Sequence, residues 1–197
     1  QGSGGVQPAD KEFVEALKDL TKENNWIMAV DEVQAGLYRT GKRYSYEHFD
    51  IEADIITVAK SLGGGLPLGG VIMAGEMTEV LESGDHGSTF APNPLALRGA
   101  KVVLENLEAI QEQINENGKY FLNEMKQIDS DNIKEVRGIG LMLVIELKDE
   151  IPNLREKGVE NGILLNVLKG KILRFLPALN ITKDEIDEIV NKLKQLL

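Results

Sequence analysis

At 197 residues the chain has room for one large domain, or for a large and a small one. The net charge of −10 and the pI near 4.8 argue against a surface that binds nucleic acid or anionic membranes. No cysteine is present, which excludes disulfides, thiolate catalysis and cysteine-based zinc sites and fits the reducing environment of the cytoplasm. No apolar run approaches the roughly 18 residues of a membrane span. Because the chain begins with Gln1 rather than Met, its targeting is not readable.

The first hundred residues alternate between helical and strand-like patterns. A glycine-rich loop over residues 1–10 precedes the segment KEFVEALKDLTKEN. In that segment Phe13, Leu17 and Leu20 share one helical stripe, and Asp10 is placed to cap the first turn. Three short apolar runs follow: WIMAV, IITVA and GGVIMAG. Runs without polar alternation are typical of strands covered on both faces, so we expect an α/β layer architecture.

The second half of the chain has a different character. From Leu95 to about Ile128 the apolar spacing is helical and long enough to link two domains. The strand-like segments IKEVRGIGLMLVIELK, GILLNV and KILRFLP follow, with a helical pattern between the first two. The last predicted helix, TKDEIDEIVNKLKQLL, opens with a capping box of Thr182 and Glu185. We therefore expect a large α/β domain, a linking helical segment and a small C-terminal α/β domain, over residues 1–94, 95–129 and 130–197.

The stretch AVDEVQAGLYRTGKRYS, from Ala29 to Ser45, allows two interpretations. Its GLYRTGKR is one residue away from the phosphate-binding loop G-x-x-x-x-G-K-[ST], which would make the chain a nucleotide-binding protein. That loop needs a hydroxyl directly after its lysine to ligate Mg²⁺. Arg43 stands there instead, so the nucleotide interpretation is weak.

The second interpretation starts from DEVQ at the end of WIMAV. Asp31 ends one apolar run and Lys60 ends the next, so both would lie in the crevice at the carboxyl ends of neighbouring strands. An enzyme that uses pyridoxal phosphate (PLP) needs this pair. Its lysine forms a Schiff base with the aldehyde and moves the substrate proton, and its aspartate keeps the pyridine nitrogen protonated. From spacing alone, the alternative that Asp31 is a turn residue and Lys60 a solvated side chain stays open.

Six motifs carry a resemblance to a known family. They occur in the order found in class III aminotransferases and most resemble the acetylornithine and ornithine type: QGSGGVQPA, DEVQAGLYRTGK, DIITVAKSLGGGLPLGGVI, HGSTFAPNPLA, VRGIGLML and ILRFLPALNITKDEID. The resemblance covers essentially the whole chain and favours PLP over a nucleotide. It implies part of the fold-type I major domain, a three-layer α/β/α sheet, together with the small domain. It also implies transfer of the amino group of N-acetylornithine, or a similar ω-amine, to 2-oxoglutarate, a reaction of arginine biosynthesis.

The resemblance implies cofactor roles for several residues. Lys60 matches the Schiff-base lysine, and Asp31 matches the partner of the pyridine nitrogen. Val33 would pack against one face of the cofactor ring, and Gln34 would hydrogen-bond the ring hydroxyl. We interpret Glu32 as a structural residue behind them.

Other matched residues concern the partner subunit and the substrate. Ser88 and Thr89 in HGSTF match a segment that reaches the phosphate of the neighbouring subunit's cofactor, which implies a homodimer with sites at the subunit interface. Arg174 in ILRFLP matches an arginine that binds a substrate carboxylate, a task that suits a guanidinium. Ser3 departs from the family, which usually has a glutamate there that pairs with this arginine in ornithine-type members. We interpret Arg137 in VRGIG as structural, and no residues indicate a metal site.

Complete members of the family are about twice as long as this chain. The N-terminal half that they add supplies a phosphate loop, an aromatic ring that stacks on the cofactor and another substrate-binding arginine. We therefore expect one of three situations. The chain is a fragment of a longer protein, or the N-terminal half is a separate chain, or the protein has been rebuilt to self-associate. A non-catalytic oligomerisation module is the alternative to an enzyme. The expected partners are amino-acid and 2-oxo-acid substrates, without nucleic acid or membrane.

Overall fold

The computed structural model describes all 197 residues, and the chain divides into two compact units. The three-stranded unit holds residues 9–38 and 42–109. The four-stranded unit holds residues 1–8, 39–41 and 110–197. The domain boundaries expected from the sequence, over residues 1–94, 95–129 and 130–197, remain predictions.

The three-stranded unit contains two helices and a short mixed sheet. Its elements are α1 (Lys11–Glu23), β1 (Ala29–Asp31), β2 (Ile55–Val58), β3 (Gly70–Met73) and α2 (Pro94–Ala109). The strand order is β1-β2-β3, with β1 parallel and β3 antiparallel to β2. The expected cap of α1 is confirmed, because Asp10 Oδ1 accepts hydrogen bonds from the backbone amides of Glu12 and Phe13 at 2.8 and 3.3 Å.

The expectation that all three strands are covered on both faces is wrong for β1 and β3. Only the central strand is well buried: Ile56 and Val58 of β2 pack with Ala53 into a small core. On β3 the side chains of Val71 and Ile72 point to opposite faces and are 59% and 41% exposed. Both outer strands are edges of a sheet only three strands wide. This unit therefore does not bury both faces of β1 and β3, although their apolar sequences predict it.

The four-stranded unit is built from an antiparallel sheet and three helices. Its elements are α3 (Gln111–Lys126), β4 (Ile133–Ile139), β5 (Met142–Leu147), α4 (Leu154–Glu160), β6 (Asn166–Leu168), β7 (Ile172–Phe175) and α5 (Lys183–Leu196). The strand order is β4-β5-β7-β6. The long helical stretch expected over residues 95–128 is divided at Ile110 into α2 and α3. The predicted capping box of α5 is confirmed in Thr182 and Glu185.

One face of the four-stranded sheet forms the larger core of the molecule. Leu143 pairs with Phe175 and Ile145 with Leu173, so these side chains leave the same face. Phe175 packs edge-on against Phe121 of α3, with ring centroids 5.8 Å apart. The opposite face carries the arginines described below. No helix in the structure is both long and apolar enough to cross a bilayer.

Candidate active site

Asp31 and Lys60 lie at the same edge of the three-stranded sheet. Asp31 is the last residue of β1 and pairs with Thr57 of the parallel strand β2. Lys60 follows two residues after the end of β2. Since β1 and β2 are parallel neighbours, their carboxyl ends meet at one edge, where open α/β sheets place their ligands. The predicted juxtaposition of the two chain positions is therefore present.

The backbone and the amine of Lys60 both have features of a reactive group. The backbone of Lys60 has φ +51°, which is in the left-handed region. A non-glycine residue adopts this conformation at a cost of order 1–3 kcal/mol, and residues strained in this way cluster at functional sites. Lys60 opens a short 3₁₀ turn, Lys60–Gly63, and its side chain is exposed. The structure gives the Lys60 amine no hydrogen bond or ion pair, so the nitrogen is free to bind a ligand.

The carboxylate of Asp31 is oriented by its own turn. Asp31 Oδ1 accepts a hydrogen bond from the Val33 backbone amide at 3.0 Å, and Thr57 Oγ1 lies 3.4 Å from the same oxygen. The residue is exposed, which leaves its second oxygen available. The turn role that the sequence left open for Asp31 is thus present, and it is compatible with ligand binding because it uses one oxygen only.

A buried carboxylate anchors this turn from behind. Glu32 is 1% exposed, and its Oε1 accepts hydrogen bonds from Ser45 Oγ at 2.7 Å and the Tyr46 amide at 3.0 Å. A Cβ at Gly36 would lie 2.8 Å from the Glu32 carbonyl oxygen and 3.0 Å from its Oε2, so only glycine fits there. Glu32 therefore fixes the segment that carries Asp31, Val33 and Gln34, in agreement with the structural role that we expected.

The remaining cofactor candidates are not engaged within this chain. Val33 and Gln34 are half-buried in the turn after β1. Ser88 and Thr89 lie in an exposed irregular stretch before α2, and neither hydroxyl makes a hydrogen bond in the structure. These two hydroxyls are thus available to a group outside the unit that carries them.

Arg174 belongs to the four-stranded unit and has no carboxylate partner. Its Nη1 donates to the Gly2 carbonyl oxygen at 3.2 Å, and its Nε is buried without a hydrogen bond. No acidic oxygen lies within 4 Å of the guanidinium. Ser3 is exposed and makes no side-chain hydrogen bond to the guanidinium. A half-buried cation with unused donors is suited to bind an anion, because its desolvation is otherwise uncompensated.

A cavity of about 250 Å³ adjoins this arginine within the four-stranded unit. Arg174, Asn166 and several apolar side chains line it, among them Phe121 and Phe175. Asn166 lies directly opposite Arg174 in the β6–β7 register and is exposed at the sheet edge. Sequence reasoning missed Asn166, because only the strand register shows that it neighbours the arginine.

Comparison with known proteins identifies the family. The family model described as Aminotransferase class-III matches residues 1–197, the whole chain. The chain belongs to the class-III aminotransferases. The acetylornithine aminotransferase of Methanocaldococcus jannaschii is 42% identical over 200 residues, which cover 100% of this chain and 50% of that protein. The acetylornithine aminotransferase of Aquifex aeolicus is 41% identical and is covered to 52% of its length.

The fold agrees with this family. The ornithine aminotransferase of Toxoplasma gondii superimposes with a TM-score of 0.91 at 32% sequence identity, over 99% of this chain and 48% of that one. The architecture is accordingly that of the C-terminal half of a fold-type I aminotransferase, as expected from the sequence. The chain spans about half the length of the curated relatives that it matches.

Class-III aminotransferases are transferases that generally depend on PLP, and the donor set here fits that group. An aldehyde needs a free amine, and a pyridine nitrogen needs a carboxylate. Lys60 offers an unpaired amine and Asp31 an unused carboxylate oxygen at one sheet edge.

In this class-III aminotransferase the GLYRTGKR segment is a structural turn. Lys42 Nζ donates to the Glu47 carbonyl oxygen at 2.5 Å, which leaves no lysine poised over a phosphate loop. Arg39 Nη1 donates to the carbonyl oxygens of Leu141 and Pro177 at 3.0 and 2.7 Å within the four-stranded unit. Burial lowers the pKa of Arg39 to about 10, and its two hydrogen bonds fix residues 39–41 within the unit to which they belong. Sequence reasoning did not single out Arg39, since nothing in the local pattern separates it from a surface arginine.

Proposed function

We propose that this chain supplies the lysine and aspartate of a PLP-dependent aminotransferase. The proposed reaction of the whole protein transfers the amino group of N-acetylornithine, or of a similar ω-amine, to 2-oxoglutarate. The observation that carries the proposal is that Lys60, with an unpaired amine, and Asp31, with a free carboxylate oxygen, lie at the carboxyl ends of adjacent parallel strands. The relatives named as acetylornithine and ornithine aminotransferases support the substrate class.

When bound, PLP would supply an electron sink that acidifies the C–H of the substrate carbon bearing the transferred amino group. Lys60 is proposed to hold the cofactor covalently and then, once released, to carry the proton of that carbon through its amine. Asp31 is proposed to keep the pyridine nitrogen protonated with the oxygen that the turn leaves unused. Val33 would pack against the ring, and Gln34 would bond its hydroxyl.

We assign Arg174 to a substrate carboxylate. Its guanidinium is planar and can bind a carboxylate through two parallel hydrogen bonds. The absence of an acidic partner within 4 Å means that no ion pair has to be broken first. Asn166, its register neighbour on the cavity wall, offers an amide to the same ligand.

The proposed active species is a homodimer that also contains the half of the family fold absent from this chain. Several large apolar side chains of the three-stranded unit are exposed, which supports an additional protein layer there: Phe13, Trp26, Val71, Leu81 and Phe90. Ser88 and Thr89 would reach the phosphate in the partner subunit. A cytoplasmic location remains a prediction.

The function can be tested in a chimera. This chain replaces the matched 200 residues of the Methanocaldococcus jannaschii relative, and amino transfer from N-acetylornithine to 2-oxoglutarate is measured. We expect turnover that Lys60→Ala abolishes and that Lys101→Ala, at an exposed lysine of the same unit, leaves intact. A folded dimeric chimera that binds no PLP would favour a non-catalytic module instead.

A further inference from the structure

Two arginines lie in one row of the four-stranded sheet. Arg137 of β4 pairs with Val144 of β5, and Val144 pairs with Arg174 of β7. Side chains at paired positions leave the same face of a sheet, so both arginines project from one face. Two interstrand spacings, about 10 Å in all, separate their backbones. The apolar Val144 between them is fully buried.

Both guanidinium groups bind the same short segment, the turn over residues 2–6. Arg174 Nη1 donates to the Gly2 carbonyl oxygen at 3.2 Å. Arg137 Nε donates to the Val6 carbonyl oxygen at 3.1 Å, and its Nη2 donates to the Gly5 carbonyl oxygen at 2.7 Å. The turn is closed by a hydrogen bond from the Gly5 amide to the Gly2 carbonyl oxygen at 3.2 Å. The segment therefore connects one arginine to the other.

Arg137 is held rigidly at its end of this connection. Its side chain is 9% exposed, and its third nitrogen, Nη1, donates to Glu146 at 2.6 Å and to Glu135 at 2.8 Å. All three guanidinium nitrogens are thus engaged. Lys134 also pairs with Glu146 at 2.5 Å, so this half-buried carboxylate keeps a partner if Arg137 is removed.

Arg174 is held far more weakly. The Gly2 carbonyl is its one hydrogen-bond acceptor in the chain, and its Nε has none. The Gly2 carbonyl also accepts hydrogen bonds from the Gly5 and Val6 amides, at 3.2 and 3.5 Å. Arg137 holds the carbonyls of those same two residues, so it supports the turn that presents Gly2 to Arg174.

We propose that Arg137 is a positioning residue for carboxylate recognition and acts through the turn over residues 2–6 to orient Arg174. This inference rests on the carboxylate role proposed above for Arg174. Bidentate binding of a carboxylate needs a defined guanidinium plane, and a side chain oriented in advance loses less freedom when the ligand binds. A lysine at position 137 could not replace the arginine, because four acceptors in different directions require the planar fork.

The test uses this chain and glutarate, a dicarboxylate probe without reactive groups. Binding is followed by NMR through the Nε–H resonance of Arg174, which is assigned by its disappearance in Arg174→Lys. We expect Arg137→Gln to weaken glutarate binding about tenfold, equivalent to about 1.4 kcal/mol, at a temperature where the variant is fully folded. The Gly5 and Val6 amides should exchange faster with solvent in the same variant. Lys134→Gln, in the same ionic cluster but without contact to the turn, should bind glutarate like the wild type.

A second variant disturbs the turn from its other side. A Cβ at Gly5 would lie 2.9 Å from Ile172 Cδ1 and 3.3 Å from Arg137 Nη2, at a φ of +103°. Gly5→Ala should therefore weaken glutarate binding while it leaves every charge in place. The double variant should be no weaker than the stronger single one, because both act through the same turn.

The outcomes separate the two proposals. If the wild-type chain binds glutarate and both Arg137→Gln and Gly5→Ala bind it equally well, Arg137 has no positioning role. The carboxylate-binding role of Arg174 is then unaffected. A wild-type chain in which glutarate does not shift the Arg174 resonance overturns the carboxylate role, and the positioning role falls with it.

Discussion

Asp31 lies directly opposite Thr57 in the parallel β1–β2 ladder, and one Asp31 oxygen is shared between the Thr57 hydroxyl and the Val33 amide. This pairing sets the carboxylate at the sheet edge where Lys60 lies, three residues after Thr57 and beyond the end of β2. The chemistry proposed for the chain depends on this register, since a shift by one residue would turn Asp31 to the other face.

The first prediction separates cofactor binding from turnover. In the chimera, Asp31→Asn should still bind PLP covalently at Lys60, but amino transfer should fall by about 100-fold or more, because an amide does not stabilise a protonated pyridine nitrogen. Thr57→Val removes a long hydrogen bond to the same oxygen and should cost no more than about fivefold, the equivalent of one weak hydrogen bond. Near-normal turnover of Asp31→Asn would show that Asp31 does not act on the ring.

The second prediction concerns the departure at position 3. Ser3 neighbours Gly2, whose carbonyl accepts from Arg174, so Ser3→Glu would bring a carboxylate within reach of the guanidinium. We expect glutarate binding to weaken about fivefold or more, since the new ion pair has to be broken first. Ser3→Gln has the same size without the charge and should bind like the wild type. Equal affinities for all three proteins would mean that residue 3 does not face the arginine.

The third prediction tests a close backbone approach in the four-stranded unit. A Cβ at Gly140 would lie 2.5 Å from the Thr40 carbonyl carbon and 2.7 Å from the Arg39 oxygen, at a φ of +57°. Gly140→Ala should lower the free energy of unfolding by about 3 kcal/mol through steric overlap and backbone strain. Gly162→Ala is the matched control. Its φ is +69° and its nearest neighbour is the Lys192 amine, at 3.4 Å and at the end of a long side chain, so about 1 kcal/mol is expected.

Urea unfolding followed through the buried β5 amides measures both glycine variants. Similar losses for the two would show that backbone conformation alone, and not the approach of residues 39–40, makes glycine necessary at position 140.

The fourth prediction is a pH dependence. Hydrogen bonds from Lys134 and then Arg137 hold the pKa of Glu146 below its usual range. Because the folded state favours the carboxylate, this contribution is complete above the ordinary carboxyl pKa of 4.5 and is lost as the pH falls through the lowered pKa. The four-stranded unit should therefore lose stability on acidification below that range. Glu146→Gln should flatten that part of the profile, and Glu156→Gln, at an exposed carboxylate without an ion pair, should not. An unchanged profile in Glu146→Gln would contradict the assignment.

Much of the fold follows from local pattern, and the exceptions have physical causes. The Asp10 cap and the Thr182 capping box were predicted because each depends on residues close in sequence. The placement of Asp31 and Lys60 at one sheet edge was predicted because each residue follows an apolar run typical of a strand. The expectation that β1 and β3 are buried on both faces was wrong. An apolar run indicates that a strand needs a packing layer on each face, but it does not show whether this chain provides those layers.

The row that joins Arg137 to Arg174 and Asn166 could not be predicted. It depends on the order β4-β5-β7-β6 and on the register of three strand pairs, and neither quantity is encoded in the spacing of the residues. The hydrogen bonds from Arg39 to the carbonyl groups of Leu141 and Pro177 could not be predicted either, because both partners are distant in sequence.

Mapping of the cofactor attachment site tests the central claim most directly. The chimera is incubated with PLP, reduced with borohydride and digested, and the labelled peptide is identified by mass spectrometry. We expect one label on Lys60, lost in Lys60→Ala and retained in Lys101→Ala. A label on another lysine, or one that persists undiminished in folded Lys60→Ala, would contradict it.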